Sequence, residues 1–344
     1  MENKKILLGM SGGIDSTYAV VELRRRGYEV YGAFLKMTED SDVESAKRAA
    51  DALQVPLTVV DRTERFRDVV IKDFLTEYAA ARTPNPCVIC NRYVKIASLC
   101  ETAKEMGIEM VATGHYTDIG YDEKSGRYFI RKAIDARKDQ SYVLWRLTQD
   151  QLKMLTFPLS TLQKSSIKEE AKALSLPNAD AAESQEICFI PTNDYVSYIE
   201  ERVGKFPVGK FIDENGKTIG EHKGIIHYTI GQRKGLGIAL GKPAFVTAID
   251  PKANTVTVTG EDKVFTDRLI CHTLNFMALA PGDYESLYAE GKIRYAARPE
   301  RARITIKDGK AEVFFEHPVR AVTPGQSAVF YDGDKILFGG LIDG

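Results

Sequence analysis

Three groups of residues in this 344-residue chain have types and spacings that could do chemistry. The first is Gly9-Met10-Ser11-Gly12-Gly13-Ile14-Asp15-Ser16, directly after the apolar run KILLGM. Adjacent glycines permit positive φ, so successive backbone N–H groups can point into one concavity. Ser11 and Ser16 add hydroxyl donors, and a following helix adds the positive end of its dipole. That set suits a pyrophosphate. It is neither GxxxxGK[ST] nor GxGxxG. Asp15 could serve the phosphates and their Mg²⁺ or simply cap the helix, and the two roles are compatible. The second group is five unevenly spaced cysteines, Cys87, Cys90, Cys100, Cys188 and Cys271. An odd, irregular set in a long chain is not a disulfide framework, which leaves reactive thiols, a metal site or inert buried residues. Cys90, placed in a loop before a helix, is a candidate for a lowered pKa. Cys188 sits among apolar neighbours, where a core thiol is the ordinary reading. Cys100 and Cys271 read as core. The third group is basic. Residues 127–138 carry five basic and one acidic residue, 222–242 four basic and none acidic, and 286–310 seven basic and three acidic, with Tyr288 and Tyr295 interleaved.

The elements that would position these residues follow from periodicity. Residues 5–36 read strand, glycine turn, helix, strand, with Gly27 closing the helix. A helix over 42–53, a strand over 57–61, a helix near 64–80, the Pro-rich loop TPNPC, a helix near 91–106 and a strand over 109–114 follow. This alternation predicts an α/β unit with a parallel sheet. Residues 148–175 read as helical with a breaker at Phe157-Pro158, and 193–203 as one more helix. From 205 onward short alternating strands are punctuated by turns such as DENG and YDGD, enough for two small β modules with a seam near 260–267.

Lys+Arg number 47 and Asp+Glu 48, a net charge of −1. A uniformly basic nucleic-acid binder is excluded, so any such binding must use the local patches. No apolar run approaches a membrane span and the N-terminus lacks a signal-peptide core. The expectation is a soluble, cytoplasmic protein with no membrane partner.

SGGIDS resembles the pyrophosphate motif of the N-type ATP pyrophosphatases, which adenylate an oxygen with ATP. ARTPNPCVICN at 81–91, ATGHY at 112–116, KDQSYVL at 138–144, ICFIP at 187–191, HYTIGQRKGLGI at 227–238 and TPGQSAVFY at 323–331 are similar, nearly end to end, to the bacterial tRNA-specific 2-thiouridylases. The resemblance implies an adenine nucleotide α-hydrolase-like domain over 1–203, with a helical extension from about 146. A small central β domain over 204–262 and a β-barrel domain over 263–344 would follow. It implies ATP and Mg²⁺ as cofactors, and the anticodon stem-loop of tRNA, with its wobble uridine, as substrate; tRNAs for Lys, Glu and Gln are suggested. A sulfur donor such as a cysteine desulfurase or a carrier protein is also implied.

A uracil C2 oxygen is not a leaving group until it is adenylated, after which a persulfide can deliver sulfur and a second thiol can resolve the S–S bond. By the family pattern Cys90 and Cys188 are the catalytic thiols, Cys188 carrying the persulfide, with Asp15 beside the triphosphate. ATP contacts fall on residues 9–16, Leu35 and Gly114. The target base is held near Asn85, Pro86 and Cys87. Further tRNA contacts fall on His115 (a structural histidine is the rival reading), on Lys138, Asp139 and Gln140, and on Arg294, Tyr295 and Gln326. Two departures stand out. Cys87 replaces the family's aspartate and creates Cys87-x-x-Cys90, so with Cys188 an iron–sulfur cluster is the alternative sulfur carrier, as in related thiolating enzymes, and CxxC is also a possible redox pair. The insertion common after the second strand is missing beyond Leu35-Lys36. HYTIGQRKGLGI is expected to be a mobile loop that orders on tRNA.

Overall fold

The computed structural model describes residues 4–179, 187–190, 192, 194–238 and 243–343. Strand β1 (Lys4–Gly9) places Ile6, Leu7 and Leu8 wholly out of solvent, as a strand covered on both faces requires. The chain turns through Ser11–Gly13 into helix α1 (Ile14–Arg25) and returns as β2 (Tyr28–Lys36), with Gly27 at φ +82 closing the helix. Asp42 caps α2 (Val43–Ala52), which leads to β3 (Leu57–Asp61). Two long helices follow. Helix α3 runs Thr63–Phe66, widens into a π-turn at Arg67–Ile71 and continues as Lys72–Ala79. Helix α4 runs Pro86–Cys90, widens at Asn91–Lys95 and continues as Ile96–Glu105. Strand β4 (Met110–Thr113) completes the alternation.

The hairpin β5 (Thr117–Asp122) and β6 (Arg127–Lys132) comes next. Helix α5 (Gln149–Met154), held by a Thr148–Gln151 capping box, runs into the two-residue strand β7 (Leu155–Thr156), and α6 (Lys164–Ala173) lies beyond it. The helical reading of 148–175, with its breaker at Phe157-Pro158, is therefore corrected at one point, the strand Leu155–Thr156 just before the breaker. The Phe157-Pro158 break admits a strand that pairs in parallel with β4 at Val111 and Ala112. The sheet order is β3-β2-β1-β4-β7, all parallel. The order reverses between β1 and β4, and the crevice beyond the carboxyl ends of those strands is where open α/β sheets bind ligands.

After α7 (Tyr195–Val203), strands β8 (Gly209–Ile212), β9 (Thr218–His222), β10 (Phe245–Asp250) and β11 (Thr255–Thr259) form a small sheet in the order β10-β11-β8-β9. The last six strands are β12 (Phe265–Phe276), β13 (Tyr284–Lys292), β14 (Glu300–Lys307), β15 (Lys310–Arg320), β16 (Ser327–Asp332) and β17 (Lys335–Ile342). They close into an antiparallel barrel through β12–β17, which leaves no open edge among them. The hairpin β5–β6 adds to the outside of β17 at Lys335↔Arg131.

One hydrophobic core spans the parallel sheet and the barrel. Trp145 lies at its centre, its indole N–H donating to Ser327 Oγ at 2.9 Å, and barrel residues Val329, Tyr331 and Ile336 pack in the same cluster as Leu7 and Val111. Gly339 faces the Trp145 ring so closely that a Cβ there would stand 2.6 Å from it. Among the described residues no helix is long and apolar enough to cross a membrane.

Candidate nucleotide and thiol site

The glycine turn lies at the carboxyl end of β1, beside the switch point. Gly12 sits at φ +81, and a Cβ on it would stand 2.7 Å from the Ala46 backbone nitrogen at the start of α2, so conformation and space both demand glycine. The serines tie the turn together: Ser16 Oγ donates to the Gly13 carbonyl at 3.0 Å and accepts from the Ser11 N–H at 3.2 Å. Ser11 and Gly13 are exposed, so the concave side is open to a ligand. Met10, Ile14 and the Leu35 side chain pack into the hydrophobic cores beneath. Gly114, just past β4, approaches from across the switch point. A Cβ there would stand 3.1 Å from the Asp15 carbonyl carbon and the Ser16 nitrogen, so the β4 loop rests on the first turn of α1.

Asp15 has specific partners. Tyr116 Oη donates to Asp15 Oδ1 at 2.5 Å, and the ammonium of Lys164, a residue only 5% exposed at the start of α6, pairs with the same oxygen. A nearly buried lysine aimed at a phosphate-type turn is a functional signal that sequence reasoning missed, because Lys164 lies in an ordinary polar helix start, QKSSIKEE. Asn178, also missed, donates from Nδ2 to the Gly12 carbonyl at 2.7 Å and to Ser45 Oγ at 3.0 Å.

The TPNPC segment is not a loop throughout. Asn85 Oδ1 accepts the Cys87 N–H at 3.2 Å and starts α4 at Pro86, a favoured first helical residue. Cys90 is consequently inside a helix and buried, its Sγ 3.8 Å from Met37 Sδ, just beyond the carboxyl end of β2. This corrects the expectation of a lowered pKa: burial pushes the Cys90 thiol up to about 11, with the Lys95 cation opposing. Cys188 exposes its surface, yet surrounding protein also raises its thiol, again opposed by Lys95. Phe189 and Ile190 anchor the Cys188 segment in the same cluster as Cys90, and the Phe189 ring lies edge-on to Phe66 and Phe74. Cys87 is exposed and lies near Cys90, Cys188 and Tyr295. Three thiols thus share one region. Among the described residues, no three His, Cys, Asp or Glu stand where they could hold a metal ion. The thiols as placed do not fit an iron–sulfur cluster. Cys100 and Cys271 are buried, and burial raises both thiols.

The remaining expected contacts are placed as follows. His115 is buried, with its Nδ1 2.8 Å from Thr113 Oγ1, and burial pushes it down to about 3. Asp139 accepts from the Ala133 N–H at 3.0 Å and from the Ser141 hydroxyl at 2.7 Å, while Gln140 Oε1 accepts the Tyr116 N–H at 2.9 Å. The Lys138 N–H donates to the Asp135 carbonyl at 3.0 Å. Arg294 donates to the Ile230 carbonyl at 2.9 Å and to Thr323 Oγ1. Gln326 Nε2 donates to the carbonyls of Thr83 at 2.8 Å and Pro84 at 3.2 Å. Tyr295 is 44% exposed beside Cys87, with Lys292 Nζ 5.5 Å from its ring centroid. HYTIGQRKGLGI, residues 227–238, is described throughout, with the Gly231 N–H bonded to the Val246 carbonyl at 2.8 Å; residues 239–242, which follow it, lie outside the described residues, as does Pro191 of ICFIP.

Comparison with known proteins places this architecture among relatives. A tRNA methyl transferase HUP domain model matches residues 4–192, a tRNA methyl transferase PRC-barrel domain model 196–260 and an aminomethyltransferase beta-barrel domain model 266–342. The chain is 44% identical to tRNA-specific 2-thiouridylase MnmA of Acetivibrio thermocellus, over 99% of this chain and 100% of that protein. It is also 44% identical to tRNA-specific 2-thiouridylase MnmA of Clostridium acetobutylicum, over 99% of each. Of the solved structures, a 4-thiouridine synthetase–RNA complex with bound ATP is 20% identical and covers 58% of this chain and 50% of that one, at a TM-score of 0.38, too low to carry an argument.

Proposed function

Because the chain belongs to the tRNA-specific 2-thiouridylase (MnmA) family, we propose that it thiolates tRNA, adenylating O2 of the wobble uridine with ATP and replacing it with sulfur. The observation that supports this most is that the cluster holding Cys90 also holds Ile187, Phe189 and Ile190, the neighbours of Cys188, with Cys90 packed beside Met37 just past the carboxyl end of β2, next to the strand that leads into the glycine turn. Although the family models speak of methyl transfer, a phosphate cradle beside two thiols is the equipment of adenylation and sulfur transfer.

In this reading the N–H groups of residues 11–13 and the start of α1 hold the triphosphate, and Lys164 faces it from α6. Asp15 fits Mg²⁺, which asks for one or two carboxylates and otherwise uses phosphate oxygens, and the ion would neutralise charge there. Attack of uridine O2 on the α-phosphorus forms the O–P bond and releases pyrophosphate. The terminal sulfur of a Cys188 persulfide then attacks C2. The Cys90 thiolate attacks Cys188 Sγ, closing a Cys90–Cys188 disulfide and leaving sulfur on C2. Collapse of the adduct expels AMP and gives the C2=S bond. A thiol reductant resets the disulfide with two electrons, and a sulfur donor reloads Cys188. Exposed Tyr295 beside Cys87 offers a ring on which an extruded base can stack.

Incubating wobble-uridine tRNA with the protein, ATP and a persulfide source, then analysing nucleosides by mass spectrometry, tests the reading. 2-Thiouridine should appear, and Cys90→Ala or Cys188→Ala should abolish it. Full thiolation by either variant would sink the relay.

A further inference from the structure

Lys164, whose ammonium pairs with Asp15, is the first residue of helix α6. First turns fray, because the first four N–H groups of a helix have no partner within it. The usual remedy is a side chain at the N-cap, but Gln163 in that place makes no such hydrogen bond. The remedy comes from a distant residue. Asp135, 29 positions earlier and only 7% exposed, accepts the Lys164 backbone N–H on Oδ2 at 3.0 Å. Its Oδ1 accepts the Arg137 N–H at 3.1 Å, so both carboxylate oxygens are engaged by backbone. The same short segment holds the other partner of Asp15. The Gln140 N–H donates to the Tyr116 carbonyl at 2.8 Å, while Gln140 Oε1 accepts the Tyr116 N–H at 2.9 Å. The Lys138 N–H donates to the Asp135 carbonyl at 3.0 Å and folds the segment into a turn. A ring closes: Asp15 to Tyr116, Tyr116 to Gln140, along the turn to Asp135, then through Lys164 back to Asp15.

We propose that Asp135 is a positioning residue of the nucleotide site: its buried carboxylate stands in for the missing cap of α6 and so keeps the Lys164 ammonium on Asp15, beside the glycine turn. That the arrangement serves ATP rests on reading the turn as a triphosphate cradle; the anchoring itself does not. A long side chain held in one place loses rotamer freedom, and a nearly buried cation loses water. Lys164 meets both costs only if its backbone is fixed as firmly as its ammonium is paired. A carboxylate suits the task twice over, since it accepts an orphan N–H and meets the positive end of the helix dipole. A side chain at the N-cap would fix α6 alone. Asp135 ties α6 to the segment that also clasps Tyr116, so one turn sets both partners of Asp15.

The test uses the full-length protein in two measurements. Asp135→Asn keeps the shape but leaves one acceptor for two N–H groups. Without ATP, it should speed amide hydrogen exchange over residues 164–168 about ten-fold and leave α1 unchanged. Calorimetric titration with Mg²⁺ and ATP should show affinity about ten-fold weaker. Placed on Lys164→Met, the same change should cost less than about two-fold, because the residue it acts through is already gone. A merely structural role would give equal losses in both backgrounds. Gln163→Asp, which supplies α6 with its own cap, should return ATP binding in Asp135→Asn to within about three-fold of the wild type. Unchanged exchange at 164–168, or equal losses with and without Lys164, overturns the proposal. If Asp135→Asn does not fold by circular dichroism, Asp135→Ser takes its place, and if neither folds, Asp135 serves the fold as a whole and the proposal falls. Faster exchange at 164–168 in a protein whose wild type binds no ATP would instead sink the nucleotide reading and leave the anchoring of Lys164 standing.

Discussion

At the scale of single residues, burial sets the acid–base behaviour. Cys90 is raised to about 11 because water is excluded from it, so near neutrality its thiol is protonated. The reactive form is the thiolate, so sulfur transfer measured in a single turnover with saturating ATP should accelerate as pH rises. Near-neutral to mildly alkaline rates should climb about ten-fold per unit when this step limits; a flat profile would mean another step does. His115 works in the opposite direction. Its folded pKa, about 3, lies below the ordinary imidazole value, so the unfolded chain binds the extra proton first. The stability it confers is complete above about pH 6.5 and is lost as pH falls towards 3, at up to about 1.4 kcal/mol per unit. His115→Gln should flatten the acid limb of a denaturation-midpoint series. Lys164→Met should weaken ATP at least about ten-fold, since it removes the nearly buried cation at Asp15.

At the scale of elements, the glycine turn does the positioning. Gly12→Ala should lower the thermal midpoint and the affinity for ATP together. The new Cβ meets the α2 backbone, and positive φ alone costs about 1 kcal/mol or more in a non-glycine residue. Asn178→Ala removes two hydrogen bonds from the turn and should act on ATP affinity more than on stability, read by calorimetry and melting side by side. The sequence contained the glycines, and the backbone freedom the turn needs was legible in it. It contained neither π-turn visibly, because an extra residue in a helical ring leaves composition and apolar spacing almost unchanged over so short a run.

At the scale of the whole molecule, the barrel is joined to the loop that begins helix α4. Gln326 binds the carbonyls of Thr83 and Pro84, the Thr83 N–H donates to the Pro324 carbonyl at 2.9 Å, and Gly325 fits against Arg82 and Thr83 with no room for a Cβ. Arg294 ties the barrel to the Ile230 carbonyl beyond the central sheet. Gln326→Ala should leave ATP binding intact, speed hydrogen exchange over residues 83–90 and reduce thiolation. Two hydrogen bonds at about 1 kcal/mol each are enough to loosen a loop without unfolding a domain that shares the Trp145 core.

The alternation of apolar runs with amphipathic helices was enough to determine a parallel α/β unit, and the glycines of SGGIDS a tight strand-to-helix turn, because both depend on local periodicity and backbone freedom. Local pattern could not reveal β7, a two-residue strand that exists by pairing with β4. The hairpin at 117–132 was likewise hidden, since its place on β17 depends on a strand about two hundred residues away. Cys90 looked like an exposed loop thiol until Asn85 capped a helix around it. Whether a thiol is ionised depends on which remote side chains surround it, and only the folded chain brings Met37 and Phe189 to that place.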